Sequence, residues 1–341
     1  MAPPPLSVRS VQEDPFKTLF DFSLKEAKKG DVASMYSVGR SYYSGVAVPR
    51  DYAKALSWFQ KAAAKGHVEA QYHTGLIYNL GQGVPENDVI AKEWFEKAAA
   101  KGNSDAQAQL SSVLRFSKTV AHDIPRAVAL QEKAAASGNP EHLFSLANAY
   151  RFGLSFPNDV PKAVVLFEKL ANLSVKPGED KKYIQWAWGT LGSIFLRGES
   201  GTPRDLVKAV DYLSRAAKVQ DGQAQYLLAS LYSTGLGVEK DEKTAANWMF
   251  LAATNKWRDA QSDWGAWLVN GKAGYKDPKE AVVWFKKAAE QRSPVAAYNL
   301  GILYESGIGT EKNLEEAKSW YKKAADEGHA KAKEALKRLG G

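Results

Sequence analysis

The sequence predicts an all-α fold, a solenoid of eight helical hairpins of 36 residues, stacked in series and closed by a helix at either end. Three observations carry that expectation. First, aromatic pairs recur. Trp58-Phe59, Trp94-Phe95, Trp284-Phe285 and Trp320-Tyr321 each begin three residues before a Lys-Ala-Ala. Steps of 36 from Trp58 reach Phe22, Trp94, Leu130 and Leu166, and steps back from Trp320 reach Trp284, Trp248 and Tyr212. The two ladders are offset by 46, which leaves ten inserted residues between them. Second, two columns hold in every unit. Asp51, Asn87, Asp123, Asp159, Asp205, Asp241, Asp277 and Asn313 are all Asp or Asn, and four residues later come Ala55, Ala91, Ala127, Ala163, Ala209, Ala245, Ala281 and Ala317. Third, glycine punctuates the pattern, at Gly45, Gly81, Gly153, Gly198, Gly235, Gly271 and Gly307 in one column and Gly66, Gly102, Gly138 and Gly328 in another. Such a period marks a repeat array, in which each unit buries its apolar face only against its neighbours.

Residues 1–15, which include Pro3-Pro4-Pro5, are expected to be disordered, and 16–30 to form an N-terminal capping helix with Phe22, Ala27 and Gly30 in register. Repeats 1–4 occupy 31–172. In each, a helix A carries small and aromatic residues at fixed places (Ala70, Gly75 and Tyr78; Ala296, Gly301 and Tyr304) and stops at a glycine. Glycine suits the left-handed residue that ends a helix. Helix B opens at the Asx, whose side-chain oxygen accepts from an orphan amide of the first turn. Its apolar columns fall at +4, +7, +11 and +12 from the Asx, which is helical spacing. The alanines admit a close neighbour, and the +7 aromatic is expected to fill the space beside them. The third unit departs from the rest: Ser111 and Leu114 replace the glycine and tyrosine, and Ser117 replaces the loop glycine, so the connection at 115–122 should be less regular. Most of the insertion lies at 173–186, whose Lys176-Pro177-Gly178 stretch reads as an exposed loop. It is either a tolerated surface insertion or a hinge or partner-binding loop between two four-repeat halves. Repeats 5–8 follow at 187–329, and 330–341 form a basic, polar C-terminal capping helix, as the end of a repeat array requires.

The pattern Ala-x4-Gly-x2-Tyr-x2-Gly, then Asp-x3-Ala-x2-Trp-Phe-x-Lys-Ala-Ala-x2-Gly-His, resembles the Sel-1-like repeat, a relative of the tetratricopeptide repeat. Residues 70–103 and 296–329 match it nearly column for column. The resemblance implies a right-handed α-solenoid with helix A lining a concave face, in a family made up mostly of adaptors and scaffolds. By the analogy with tetratricopeptide repeats, Tyr36, Tyr72, Ala108, Phe144, Gly189, Tyr226, Ser262 and Tyr298 point into that face. Arg40 and Asn148 follow a few positions on, then Tyr43, Asn79, Arg115, Arg151, Arg197, Asn270 and Glu305. Tyrosine and arginine are enriched at binding hot spots, and arginine can hold a carboxylate through two parallel hydrogen bonds. The expectation is a non-enzymatic scaffold that binds proteins or peptides, including acidic or C-terminal segments or another protein's helix. The bland alternative is that the tyrosines only pack between adjacent A helices. Two other functions compete: a basic helical-repeat RNA-binding protein, and a regulatory or activator subunit of an enzyme complex in a cell-wall, stress or protein-degradation pathway.

Composition narrows the field further. With 45% hydrophobic and 25% charged residues the chain is that of a folded protein, not a disordered one. The absence of cysteine removes disulfides, thiolate metal sites and cysteine nucleophiles. The net charge of +8 raises the nucleic-acid alternative. Against it, many lysines stand in one helix-B column (Lys61, Lys97, Lys133, Lys169, Lys287 and Lys323) near the helix C-terminus, where cations complement the dipole. No stretch is apolar enough for membrane insertion. The first twenty residues lack the apolar core of a secretory leader, so a cytoplasmic chain is expected and the sequon at Asn172 would go unused. No cofactor, metal or catalytic set is expected. His67 and His329 belong to the repeat, where turn entry explains them, and His73, His122 and His142 are scattered without metal-ligand spacing. Gly265 to Lys272 fails as a phosphate loop on both glycine spacing and Ala273.

Overall fold

The computed structural model describes residues 14–174 and 181–340. The chain divides into two compact units, with the division between Asn158 and Asp159. In the first unit the helices are α1 (Pro15–Lys29), α2 (Val32–Ser44), α3 (Tyr52–Ala64), α4 (Val68–Leu80), α5 (Asp88–Ala100), α6 (Ser104–Phe116), α7 (Ile124–Ala136) and α8 (Pro140–Phe152). In the second they are α9 (Val160–Ala171), α10 (Lys182–Arg197), α11 (Leu206–Lys218), α12 (Gly222–Thr234), α13 (Glu242–Thr254), α14 (Arg258–Asn270), α15 (Pro278–Glu290), α16 (Pro294–Ser306), α17 (Leu314–Asp326) and α18 (Ala330–Arg338). Within each unit every helix packs on the next in chain order. The fold class is the expected α/α solenoid: even-numbered helices from α2 to α16 are the A helices, and odd-numbered helices from α3 to α17 are the B helices. Helices α1 and α18 flank them.

Local chemistry sets the helix ends. All eight Asx residues are N-caps, each accepting the amide of the residue three positions on at 2.9 to 3.1 Å. Each such cap satisfies one of the four amides that a helix leaves orphaned. Glycines at the ends of A helices take φ near +70°, as at Gly81 (+61°) and Gly235 (+77°). The column after helix B is more revealing. Gly66, Gly102, Gly138 and Gly328 are left-handed there, but Gln220, Lys256 and Arg292 adopt the same conformation at φ +67°, +63° and +61° without being glycine. A side chain in that region crowds its own carbonyl, so these three turns hold strain. The third unit does differ at its loop: Ser117 is extended (φ −62°), and its hydroxyl accepts from the amides of Thr119 and Val120.

The core corrects one expectation. All eight +4 alanines are fully buried, but the residue that fills the space beside them is +8, not the +7 aromatic. Phe59, Phe95, Phe167, Phe285 and Tyr321 are at most 1% exposed. A helix turns about 100° per residue, so +8 lies about 40° from the +4 alanine, within the stripe that also holds +11 and +12; +7 lies about 60° away on the other side. The central glycine of helix A exists for that ring. A Cβ at Gly39 would stand 2.6 Å from the Phe59 ring, and one at Gly75 would stand 2.7 Å from Phe95. The +7 tryptophans lie at the edge of the stripe and carry the lysine column on their faces. Lys61 sits 4.3 Å from the Trp58 ring centre, Lys97 4.0 Å from Trp94, Lys287 4.0 Å from Trp284 and Lys323 3.9 Å from Trp320. These cation–π pairs join residues three apart on one helix.

The expected insertion at 173–186 lies partly outside the described residues, as do residues 1–13 of the expected N-terminal segment. Its last residues, 182–186, form the first turns of α10, which at 16 residues is longer than the other A helices. The unit division at 158/159 falls upstream of the insertion, and α9 packs on α10 within the second unit.

Candidate functional site

In the first unit the A helices gather aromatic, imidazole and carboxylate groups on one face. Tyr36 of α2 stacks on His67 (ring centres 4.5 Å apart) and meets His73 of α4 edge-on at 5.6 Å. Tyr43 lies 5.8 Å from the same His73. The His73 Nδ1–H donates to the Glu69 carbonyl at 2.8 Å, and burial holds its pKa below the usual histidine value. Tyr72 packs edge-on to His73 at 5.1 Å, and burial, with the Asp105 carboxylate nearby, pushes its hydroxyl up to about 12. One helix further on, Asp105 of α6 meets Nε2 of the buried His142 of α8 at 3.2 Å, and that hydrogen bond holds the Asp105 carboxyl below its usual range. Between Tyr72 and Phe144 the ladder has only Ala108. The missing ring leaves a recess of about 460 Å³, contributed by α4, α6, α7 and α8.

Other expected residues of this unit are placed differently. Arg40 is exposed, and Asn148 is half-buried on α8. Asn79 is tied to Asp88 at 2.9 Å. Arg115 donates to the Leu154 carbonyl and lies between the rings of Phe116 and Phe156, at 4.5 and 4.9 Å, so it serves the loop after α8 as well as the recess. Burial lowers its pKa from the usual arginine value. Arg151 covers the ring of Phe152 at 4.9 Å.

In the second unit the Tyr226 hydroxyl donates to Asp263 at 2.9 Å. Burial, reinforced by that carboxylate, raises the Tyr226 pKa, and burial raises that of Asp263. Tyr298 stacks on His329 at 4.4 Å, which repeats the Tyr36–His67 pair of the first unit at the same spacing along the chain. Arg197 and Asn270 are exposed. Glu305 is engaged internally: it accepts from the Tyr321 hydroxyl at 2.7 Å and from Arg338 at 2.6 to 2.8 Å, which fastens α18 to α16 and α17.

Sequence reasoning missed Asp105, Gln131, Glu141 and Asp263, and it set aside His73 and His142 as scattered. A usable signal was present in two places. Asp105 and Glu141 are 36 apart and so share a column, and Ala108 and Gln131 break aromatic or apolar columns within one unit. The histidines gave no such signal, since they stand in different columns and converge only through packing. Among the described residues, no group of three or more His, Asp or Glu converges to hold a metal ion, and no helix is long and apolar enough to cross a membrane.

The Sel1 repeat family model matches eight times, at residues 32–67, 68–103, 104–139, 143–175, 185–221, 222–256, 258–293 and 294–329. Among solved structures the chain is similar to a protective antigen of uropathogenic Escherichia coli strains that displays an SLR fold, with 31% identity and a TM-score of 0.79. That match covers 93% of this chain and 66% of the antigen, so the chain spans just under two thirds of the antigen's length. It is also similar to a Sel1 repeat protein from Oxalobacter formigenes, with 26% identity and a TM-score of 0.75, over 99% of this chain and 98% of that one. No curated protein matches. With eight matched repeats over most of its length, helices capped in register and glycines seated under buried rings, the chain belongs to the Sel1 repeat family.

Proposed function

We propose that this chain is a non-enzymatic scaffold that holds segments of partner proteins on the face of its A helices. Sel1 repeat proteins are generally protein-interaction scaffolds. The observation that supports the reading here is the arrangement of groups on that face. In the first unit, Tyr72 and an imidazole–carboxylate pair on successive A helices line an open recess, and Arg40 stands exposed on α2 outside it. Tyrosine and arginine are the groups that carry most binding energy at protein interfaces, because they bury large area and make directed polar contacts. The exposed Arg40 and Arg197 suit acidic or carboxyl-terminal segments, which arginine holds in bidentate fashion. Four lysines of the basic column stand over tryptophans of their own B helices, so that charge belongs to a different surface.

The test is affinity capture of partners with the intact chain, followed by titration of a captured protein against the Arg40→Glu, Arg197→Glu double variant. Affinity should fall at least about tenfold while helical content stays unchanged. Unchanged affinity in a folded variant would remove the A-helix face from the interaction.

A further inference from the structure

The recess of the first unit is built by departures from the repeat. At the +8 position the other units bury Phe59, Phe95, Phe167, Leu213, Met249, Phe285 or Tyr321; this one buries Gln131, at 4% exposure. Its amide lines the recess and makes no hydrogen bond among the described residues. The glycine beneath the usual ring is Ser111, whose hydroxyl donates to the Ala127 carbonyl at 2.7 Å. Ala108 stands where Tyr36, Tyr72 and Phe144 stand in neighbouring units. A polar atom left buried without a partner, like Nδ1 of His142, is rare in native proteins and calls for an explanation. Here Ala108 and Gln131 meet in one open space, in the size class of ligand pockets.

The chemistry of that space is selective. The Asp105 and Glu141 carboxylates are acceptors at its wall, the Gln131 amide offers a third acceptor oxygen, and the Tyr72 ring lines one side. His142, 6% exposed, holds Asp105 through Nε2, while its buried Nδ1 has no partner. Arg115 is the one fixed cation among the lining residues; one terminal nitrogen donates to the Leu154 carbonyl, and its Nε is buried without a partner. A planar cation with several donors meets this set best: its N–H groups can reach two carboxylates and an amide oxygen while its face lies on the tyrosine. A lysine ammonium offers no plane to stack, and an anion would face two carboxylates.

We propose that the recess formed by α4, α6, α7 and α8 binds an arginine side chain presented by a segment of a partner protein. The proposal rests on the scaffold reading and adds the residue that the scaffold recognises in its first unit. Neither Arg40 nor Arg197 enters it, so this site can fail while the charge-reversal result above still stands.

The probe is Nα-acetyl-L-arginine amide, titrated into the intact 15N-labelled chain, with the side-chain amide resonances of Gln131 as the readout and, where Gln131 is replaced, the backbone amide resonance of Ser112 at the recess wall. Those resonances should shift and saturate, with binding at least about tenfold weaker for the matching lysine and citrulline amides. Asp105→Asn should weaken arginine binding at least about fivefold. Ser111→Gly with Gln131→Phe restores the glycine–ring pair used by Gly39 and Phe59, so it should fold with unchanged helical content and lose the site. Ala108→Tyr, which fills the gap in the ladder, should lose it as well. No saturable shift at Gln131, equal affinity for the lysine amide, or unchanged binding in the folded double variant would overturn the proposal. Tighter binding of free L-arginine than of the capped amide would also overturn it, since the ligand would then be a small molecule.

Discussion

Gly75→Ala puts the glycine–ring contact to a direct test. Gly75 lies in the middle of α4, where alanine would be worth about 1 kcal/mol in helix propensity. The tertiary contact opposes that gain. The new Cβ would stand 2.7 Å from both Cδ1 and Cε1 of Phe95 and 3.2 Å from the Ala91 carbonyl oxygen. Carbon atoms prefer about 3.5–4.0 Å, so the overlap with the ring is close to 1 Å. Phe95 is fully buried, and a core that must absorb such an overlap loses about 1–3 kcal/mol. With backbone on one side of the methyl and a buried ring on the other, the upper part of that range applies, for a net destabilisation of about 2 kcal/mol. Urea unfolding followed by circular dichroism measures it. Phe95→Leu in the same chain should relieve the clash, and the double-mutant cycle should give a coupling of at least about 1 kcal/mol. A stabilised Gly75→Ala variant, or additive single changes, would show that the ring does not require the glycine.

Two further outcomes follow from other parts of the molecule. Gln220 is left-handed at φ +67° in a column where four other repeats use glycine, so Gln220→Gly should raise stability by about 0.5–1 kcal/mol, the relief of strain less the extra entropy of the unfolded chain; a loss of stability in urea would mean that the turn is not strained. The Tyr72 hydroxyl is raised from 10.0 to about 12, so between those values the unfolded chain has released a proton that the folded chain keeps. The stability this contributes is complete below about pH 10 and is lost as pH rises towards about 12. Tyr72→Phe should therefore flatten the decline of the unfolding midpoint between about pH 10 and pH 12, and parallel declines in the two proteins would contradict the burial of that hydroxyl.

Much of the fold was legible because it is written in local rules. An Asx cap, an alanine four residues on and a glycine at each turn act within a few residues of themselves, so their period shows in the chain. The +7 and +8 aromatics show why local spacing was not enough for the core. Both are large and apolar at Trp94-Phe95, and only the tilt of the packed stripe decides that Phe95 goes under Gly75 while Trp94 stays at the edge beneath Lys97. The expected binding residues divided in the same way. Tyr36 and Tyr72 do sit among groups from neighbouring A helices, but Asn79, Arg115 and Glu305 are engaged with Asp88, Leu154 and Arg338, partners that no column pattern could indicate.

The sequence by itself determined that this protein is a stack of capped helical hairpins, because each cap, turn and small-residue contact repeats with the chain. Tertiary structure alone decided where the stack becomes a site. Ala108 and Gln131 look like unrelated lapses in the pattern until packing brings them to one recess beside Tyr72, Asp105 and His142. The physical reason is that periodicity specifies what each repeat shares with the next, whereas a binding pocket depends on where one repeat differs and on which side chains of its neighbours close around the difference.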